Sequence, residues 1–180
     1  KNTKIGTVEF YTMSMFIFSC LTGLRISDIL TLRWQHIIRS DELWIIKKIL
    51  VKKVGGKNVL LDVPISKYAL IIMDWCVEDY NDMEKPENLV FPKIDRNTIN
   101  STLREFAEKA GIEKHLTFHA SRRTCATNFM INGMDRLALM KYMGHTSFNT
   151  TLKYVKWNSN VAKEYLDKIE IVKVKKSLIK

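Results

Sequence analysis

Apolar residues recur at helical spacing over most of this chain, and two short runs are typical of β-strands. Residues 7–21 are apolar on most sides, which predicts a central first helix. Gly23 should end it, because glycine accepts the left-handed conformation, and Ser27 and Asp28 favour a new helix start. The apolar residues expected in this second helix are Ile29, Leu30, Leu32 and Trp34. Arg25 is therefore expected at the junction of two packed helices.

The two strand-like runs are residues 43–51 and 58–63, which are rich in β-branched and aliphatic side chains. Gly55-Gly56 lies between them and favours a hairpin. Pro64 is expected to close the second strand, since proline cannot donate to a strand ladder. With the helices, this hairpin predicts a single α+β domain that is mainly α-helical with a small antiparallel β-sheet.

Capping residues predict the helices of the later chain. Ser66 suits the start of a helix that runs to about Asp82. Residues 89–92 are short and extended, and residues 97–110 predict a helix that Gly111 stops. No internal repeat is present, so one set of helices around the hairpin is expected.

Composition limits the classes of protein to consider. At 180 residues the chain suffices for one domain with a core, and its 46% hydrophobic content indicates a globular protein. Lys and Arg outnumber Asp and Glu by 29 to 19, which gives a net charge of +10. This balance favours a polyanionic partner, nucleic acid first, although a basic protein can also be merely soluble. The motifs have to decide between these two interpretations of the charge.

Cysteine usage and the apolar N-terminal region bear on the compartment. Cys20, Cys76 and Cys125 are scattered without a C-x-x-C pair, so they fit core positions in a reducing cytoplasm better than disulfides or a zinc ribbon. The apolar run of residues 10–21 is shorter than the roughly 18 residues of a membrane span. We expect a bacterial cytoplasmic, nucleoid-associated protein. The lack of an initiator methionine suggests a fragment of a longer one.

Residues 116–154 hold four polar side chains at fixed offsets: His119, Arg122, His145 and Tyr154. His119 and Arg122 are three residues apart and so share one helix face. Gly133 and Gly144 divide the stretch into three short helical pieces, which leaves His145 at a helix corner. Asp135 can cap the middle piece, residues 136–143. Two cations, a neutral donor and a phenol arranged in this way suit a phosphate better than a metal.

These residues resemble the signature of the tyrosine recombinases, or phage-type integrases. The family pattern is H-x-x-R, then G-H or G-W, then a tyrosine nine residues on, and this chain has His119-Ala120-Ser121-Arg122, Gly144-His145 and Tyr154. The family's other arginine lies in a T-G-L-R-[I/P]-S-[E/D] segment, which residues 22–28 match position by position. The resemblance covers roughly the whole chain. It implies the family's catalytic-domain fold, that of a DNA breaking and rejoining enzyme.

Breaking a phosphodiester without a metal needs a nucleophile, cations for the phosphate oxygens and an acid for the leaving oxygen. Arg25 and Arg122 suit the cationic role, because guanidinium gives planar bidentate hydrogen bonds and stays charged. The resemblance implies that Tyr154 is the nucleophile and forms a 3′-phosphotyrosine, from which strands rejoin without ATP. It also implies that His119 accepts or shares the tyrosine's proton and that His145 donates to a phosphate oxygen.

The family's general acid is a lysine in the β-hairpin. Lys53 is the nearest match, and Lys52 and Lys57 are the alternatives, because a second glycine loosens the register. Arg123 stands where the family often has His or Lys and can add a phosphate contact. The expected DNA-binding residues are Arg25, Arg122, Arg123, Lys52 and Lys57. Asp28 stands where Glu is commoner, and it is either a support for Arg25 or an ordinary acid in the first turn of a helix.

Other interpretations of the same residues stay open. A zinc site would use His115, His119 and His145, but no carboxylate or thiol completes an H-E-x-x-H arrangement, so we expect no metal and no cofactor. The expected function is site-specific recombination by the integrase of a mobile genetic element. The alternatives are strand relaxation like that of a type IB topoisomerase and a catalytically silent DNA-binding domain.

The resemblance also implies a domain organisation and partners. Residues 1–180 would form one catalytic domain, with a core of about residues 1–156 and a tail of about residues 157–180. The family's N-terminal core-binding and arm-binding domains are absent from this chain. The expected partners are double-stranded DNA, further copies in a tetramer on DNA, and accessory directionality proteins, with no membrane. The tail is expected to dock on a neighbouring protomer, and a fold-back in cis or a lysine-rich end without structure are the alternatives.

Overall fold

The computed structural model describes residues 4–40, 43–50, 58, 60–77 and 85–145. The helices of this part are α1 (Val8–Thr22), α2 (Ile26–Ile29), α3 (Lys67–Trp75), α4 (Arg96–Lys109), α5 (His119–Ile131) and α6 (Arg136–Tyr142). The strands are β1 (Ile37–Ser40), β2 (Leu43–Ile49) and β3 (Leu60–Ile65), and a 3₁₀ turn spans Trp34–His36. The predicted α+β class, mainly helical with a small antiparallel sheet, is confirmed.

Helix α1 is the central element, as its apolar composition predicts. It packs against α3, α4 and α5, and Met15 and Phe18 on it are fully buried. The Thr7 side chain caps its start by accepting from the backbone N–H of Phe10 at 3.2 Å. Gly23 caps its end with φ of 69°. Both ends lie one residue later than predicted.

The second helix is much shorter than its sequence predicts. α2 ends at Ile29, so the expected continuation towards Trp34 is wrong. The chain instead extends alongside residues 88–90, where Val90 N donates to Leu32 O at 2.9 Å and Trp34 N donates to Asn88 O at 3.1 Å. Pairing with a distant segment has overridden the local helical spacing of the apolar residues.

The sheet has the antiparallel order β1-β2-β3, and sequence analysis did not predict β1. The prediction that Pro64 closes β3 is wrong, because Pro64 lies within the strand, opposite Ile45. β3 is at the edge of the described sheet, where a proline is tolerated because one side of the strand needs no ladder partner. Alternate residues of β2 and β3 face the core, and Ile46 and Val63 are fully buried.

Most caps of the later helices match their prediction. Ser66 accepts from Ala69 N at 3.3 Å, but α3 ends at Trp75 instead of near Asp82. Asp95 caps α4, one residue earlier than expected, and Gly111 follows it with φ of 71°. No helix among the described residues is long and apolar enough to cross a membrane.

Candidate functional site

A small cavity forms between the α1–α2 turn and the start of α5, with a volume of about 160 Å³. Its lining includes Arg25, His119 and Arg122, three residues that the sequence singled out. Two larger cavities, of about 440 and 410 Å³, lie at the end of α4 and between α3 and the sheet. Neither contains any of these three residues, so size does not mark the chemically interesting site here.

Arg122 is the structural centre of this site. The residue is only 2% exposed and lies one turn into α5. Its Nη1 donates to the carbonyl oxygen of Gly23, and its Nη2 donates to that of Met143. Nη2 also lies 2.9 Å from Nε2 of His145. One guanidinium thus joins the end of α1, the end of α6 and the histidine that follows.

Gly23 allows these segments to meet. Its φ of 69° lies in the left-handed region, and a Cβ built there would stand 2.6 Å from Met143 Sδ and 3.3 Å from Cys125 Sγ. A side chain at this position would therefore force the buried Met143 side chain, at the end of α6, to move. The glycine matters for close packing as well as for ending the helix.

His145 is held in one tautomer. A guanidinium has only donors, so Nε2 of His145 must accept from Arg122, and its ring proton is then on Nδ1. Burial, together with the charges of Arg122 and Arg25, lowers the pKa of His145 to about 4. The imidazole is neutral at pH 7, and its ring donor is Nδ1–H.

His119 is an exposed residue at the first position of α5, with a partly covered ring. That partial burial lowers its pKa, and the charges of Arg123, Arg122 and Arg25 act in the same direction. A neutral imidazole beside three guanidinium groups can accept a proton at neutral pH. Arg123 itself is exposed on α5 and contributes to the field of the site rather than to its walls.

Arg25 stands at the N-cap position of α2 and is partly buried. Its Nη1 is buried, and within the described part of the chain no hydrogen-bond partner reaches this atom. A buried guanidinium donor without an acceptor is costly, so an acceptor placed in the cavity would be bound favourably. The arrangement suits an anionic oxygen.

Sequence analysis missed a buried lysine next to this region. Lys48 is 6% exposed, and its Nζ donates to the carbonyl oxygen of Thr31 at 3.0 Å. Burial lowers the pKa of Lys48, whereas the nearby Asp28 carboxylate raises it and Arg33 lowers it. Asp28 is itself fully buried, and its charge faces this lysine. The inward position of Lys48 in the alternating pattern of β2 was the available signal.

The remaining predicted site residues lie outside the described residues: Lys52, Lys53, Lys57 and Tyr154. The nucleophile and the general acid therefore stay predictions. His115 lines the separate 440 Å³ cavity near α4, and neither Arg25 nor Arg122 lines that cavity. Among the described residues, no three or more His, Cys, Asp or Glu side chains form a group that could hold a metal ion.

Comparison with known proteins gives a consistent set of matches. The profile of the phage integrase family matches residues 1–160. The tyrosine recombinase XerD of Lacticaseibacillus casei is 30% identical over 154 residues, which cover 78% of this chain and 48% of that protein. XerC of Chlamydia pneumoniae is 26% identical over 148 residues, 79% of this chain and 46% of that protein. The chain spans about half the length of the curated relatives it matches.

Solved structures share the fold. The XerA recombinase superposes with a TM-score of 0.65 at 20% identity, over 91% of this chain and 58% of that one. The Tn1549 transposon integrase bound to circular intermediate DNA gives a TM-score of 0.62 at 19% identity, over 87% of this chain and 57% of that one. At these identities the likenesses show a shared fold over most of this chain.

Proposed function

The chain belongs to the phage integrase family, and from this membership we propose that it is the catalytic part of a tyrosine recombinase. Its activity is the cleavage and rejoining of DNA strands in site-specific recombination. Residues 1–180 act as one catalytic domain of about residues 1–156 with a docking tail of about residues 157–180. The XerC and XerD relatives, both named tyrosine recombinases, support this proposal.

One observation carries the proposal: the buried Nη1 of Arg25, which has no hydrogen-bond partner among the described residues, belongs to a residue that lines the same cavity as Arg122. A phosphodiester offers two non-bridging oxygens, and charge builds on them as a nucleophile attacks. Arginine donors already aimed at that position stabilise the transition state without further reorganisation. The cavity, of about 160 Å³, is large enough to hold a phosphate group.

The reaction we propose balances as follows. The phenol oxygen of Tyr154 forms a bond to phosphorus, and the bond from phosphorus to the 5′-oxygen breaks. His119 takes the phenolic proton, for which its lowered pKa keeps it neutral. Lys53, or Lys52 or Lys57 in its place, gives a proton to the departing 5′-oxygen. The 3′-phosphotyrosine is then attacked by a 5′-hydroxyl of another strand in the reverse step.

His145 has two functions in this scheme. Its Nε2 accepts from Arg122 and fixes the plane of that guanidinium. Its Nδ1–H donates to a phosphate oxygen once DNA occupies the cavity. Because the ring is neutral, it adds a hydrogen bond without adding a third full charge to the cavity.

A finer proposal is that the parent protein is the integrase of a mobile genetic element. It is supported by the similarity to the Tn1549 transposon integrase, which was solved with circular intermediate DNA. In this proposal the full-length protein forms a tetramer on double-stranded DNA, with accessory proteins that set direction. Arg123, Lys52 and Lys57 add phosphate contacts, which makes binding strongly salt-dependent.

Covalent trapping tests the proposed activity. The full-length protein is incubated with a nicked suicide substrate of its attachment site and separated on a denaturing gel. A protein–DNA band is expected that persists in EDTA and disappears in Tyr154→Phe. Absence of the band with the full-length protein would favour a silent DNA-binding domain. Relaxation of plasmids without any sequence requirement would favour topoisomerase-like activity instead.

A further inference from the structure

We propose that two buried serines, Ser19 and Ser121, are positioning residues that hold the two arginine-bearing segments of the site at a fixed separation. The proposal rests on the function proposed above, because its readout is DNA cleavage. It concerns neither the reacting groups nor the family signature. It concerns a hydrogen-bonded chain beneath the cavity.

The two hydroxyls connect distant parts of the sequence. Ser19 lies in α1 and Ser121 in α5, both are fully buried, and their Oγ atoms are 2.6 Å apart. Ser19 Oγ donates to the carbonyl oxygen of Leu24 at 2.8 Å. A hydroxyl has one proton, so the serine–serine bond uses the proton of Ser121. The carbonyl oxygen of Phe118 is a second acceptor for that proton, also at 2.6 Å.

Both ends of this series of hydrogen bonds belong to the site. The carbonyl of Leu24 is part of the peptide that continues into Arg25, and Ser121 directly precedes Arg122. Leu24 and Phe118 also line the cavity with the two arginines. A displacement of the peptide at Leu24 would therefore move the Arg25 side chain relative to Arg122. Displacements of about 1 Å in a catalytic group can cost on the order of 100-fold in rate.

Helix α1 supplies a matched control. Ser14 is also a buried serine of α1, 4% exposed, but its hydroxyl bonds to Cys76 at the end of α3, and neither residue lines the cavity. Ser14→Ala removes the bond to Cys76, whereas Ser19→Ala removes two bonds, the donation to Leu24 and the bond accepted from Ser121. Only the removal of Ser19 frees the peptide at Leu24. A purely structural role predicts the same behaviour for both variants, and a positioning role predicts a difference in rate.

The experiment compares Ser19→Ala, Ser121→Ala, the double variant and Ser14→Ala in the full-length protein. Single-turnover cleavage of the suicide substrate at saturating DNA gives the rate, and titration gives the DNA affinity. For Ser19→Ala we expect a rate lowered about tenfold or more with DNA affinity within about twofold of wild type. Ser14→Ala should cleave at the wild-type rate. The double variant should be no slower than Ser19→Ala, because Ser121 acts through Ser19.

Several outcomes would overturn the proposal: equal rate losses in Ser14→Ala and Ser19→Ala, additive losses in the double variant, or a loss confined to DNA affinity. If Ser19→Ala does not fold, Ser121→Ala decides: Ser19 then loses its hydrogen bond from α5 and is no longer tied to the Arg122 segment, so the rate must fall below that of Ser14→Ala. A wild-type protein that forms no covalent complex would refute the proposed function. Serine variants as fast as an active wild type would refute only the positioning role.

Discussion

In the free protein the guanidinium of Arg122 donates to two carbonyl oxygens and lies against His145, whereas Arg25 keeps a buried Nη1 with no hydrogen-bond partner among the described residues. Both residues line one cavity, and both suit contact with a phosphate. Arg122 stabilises the fold around the cavity before any ligand arrives. Arg25 has a donor left for the ligand. The same residue type thus serves assembly in one place and binding in the other.

The largest expected difference is in stability. Arg122→Ala leaves the buried carbonyls of Gly23 and Met143 without their donor, so the free energy of unfolding should fall by about 3–5 kcal/mol. Arg25→Ala breaks no such bond and should change it by less than about 1 kcal/mol. Urea unfolding monitored by circular dichroism measures both. Similar losses in the two variants would show that the arginines do not differ in this way.

Acid should lower the stability of the protein through His145, on the Arg122 side of the site. His145 has a pKa of about 4 in the folded protein against 6.5 ordinarily, so between these values the unfolded chain binds more protons. The free energy of unfolding should fall as pH drops from 6.5 to 4, by up to ~3 kcal/mol from this group. In His145→Gln the decline should be smaller. His119 and His36, whose pKa values are also lowered, leave a residual slope of the same sign. An unchanged slope in the variant would contradict the lowered pKa of His145.

A glycine pair isolates the packing between α1 and α6. Gly23 and Gly111 both have φ near 70°, so alanine at either costs about 1 kcal/mol of backbone strain. Only at Gly23 would the new Cβ meet Met143 Sδ at 2.6 Å, whereas nothing lies within 4 Å at Gly111. The free energy of unfolding, measured by thermal unfolding, should therefore fall by about 1–3 kcal/mol more in Gly23→Ala than in Gly111→Ala. Equal losses of stability in the two variants would mean that the contact with Met143, at the end of α6, is relieved at no energetic cost.

The smallest effect concerns the free donor of Arg25. Inorganic sulfate should bind the cavity weakly and raise the free energy of unfolding by about 1.4 kcal/mol at ten times its Kd. The increment should disappear in Arg25→Ala and persist in Arg104→Ala, which removes an exposed arginine of α4. Differential scanning fluorimetry across a sulfate series, with chloride at matched ionic strength, measures it. Sulfate stabilisation that survives Arg25→Ala would place the anion elsewhere.

Local chemistry predicted the parts of the site that depend on short-range rules. The offset of His119 and Arg122 within one helix, and the glycine that leaves His145 at a corner, follow from helix geometry and appear as expected. Arg25 joined the group only through the family resemblance, since no periodicity relates it to residues almost a hundred positions later. Its placement in the same cavity as Arg122 agrees with that expectation.

The sequence did not reveal contacts made by backbone atoms or by residues that break local rules. Carbonyl acceptors such as Gly23 O carry no side-chain signal, so the anchoring of Arg122 could not be foreseen. Lys48 was hidden because a lysine in a strand is ordinarily exposed, and only its pairing with Thr31 and Asp28 makes burial tolerable. The early end of α2 reflects pairing with residues 88–90, which local propensity cannot anticipate.

The bond from Arg122 to Gly23 joins residues 99 positions apart, and the serine bond joins residues 102 apart. Contacts of such sequence separation form late in folding, because the intervening chain must lose its freedom before they are made. Residues 1–115 lack Phe118, His119 and Arg122, so this part of the chain cannot complete the cavity. The cavity lined by Arg25 and Arg122 can therefore be complete only after most of the domain has been made.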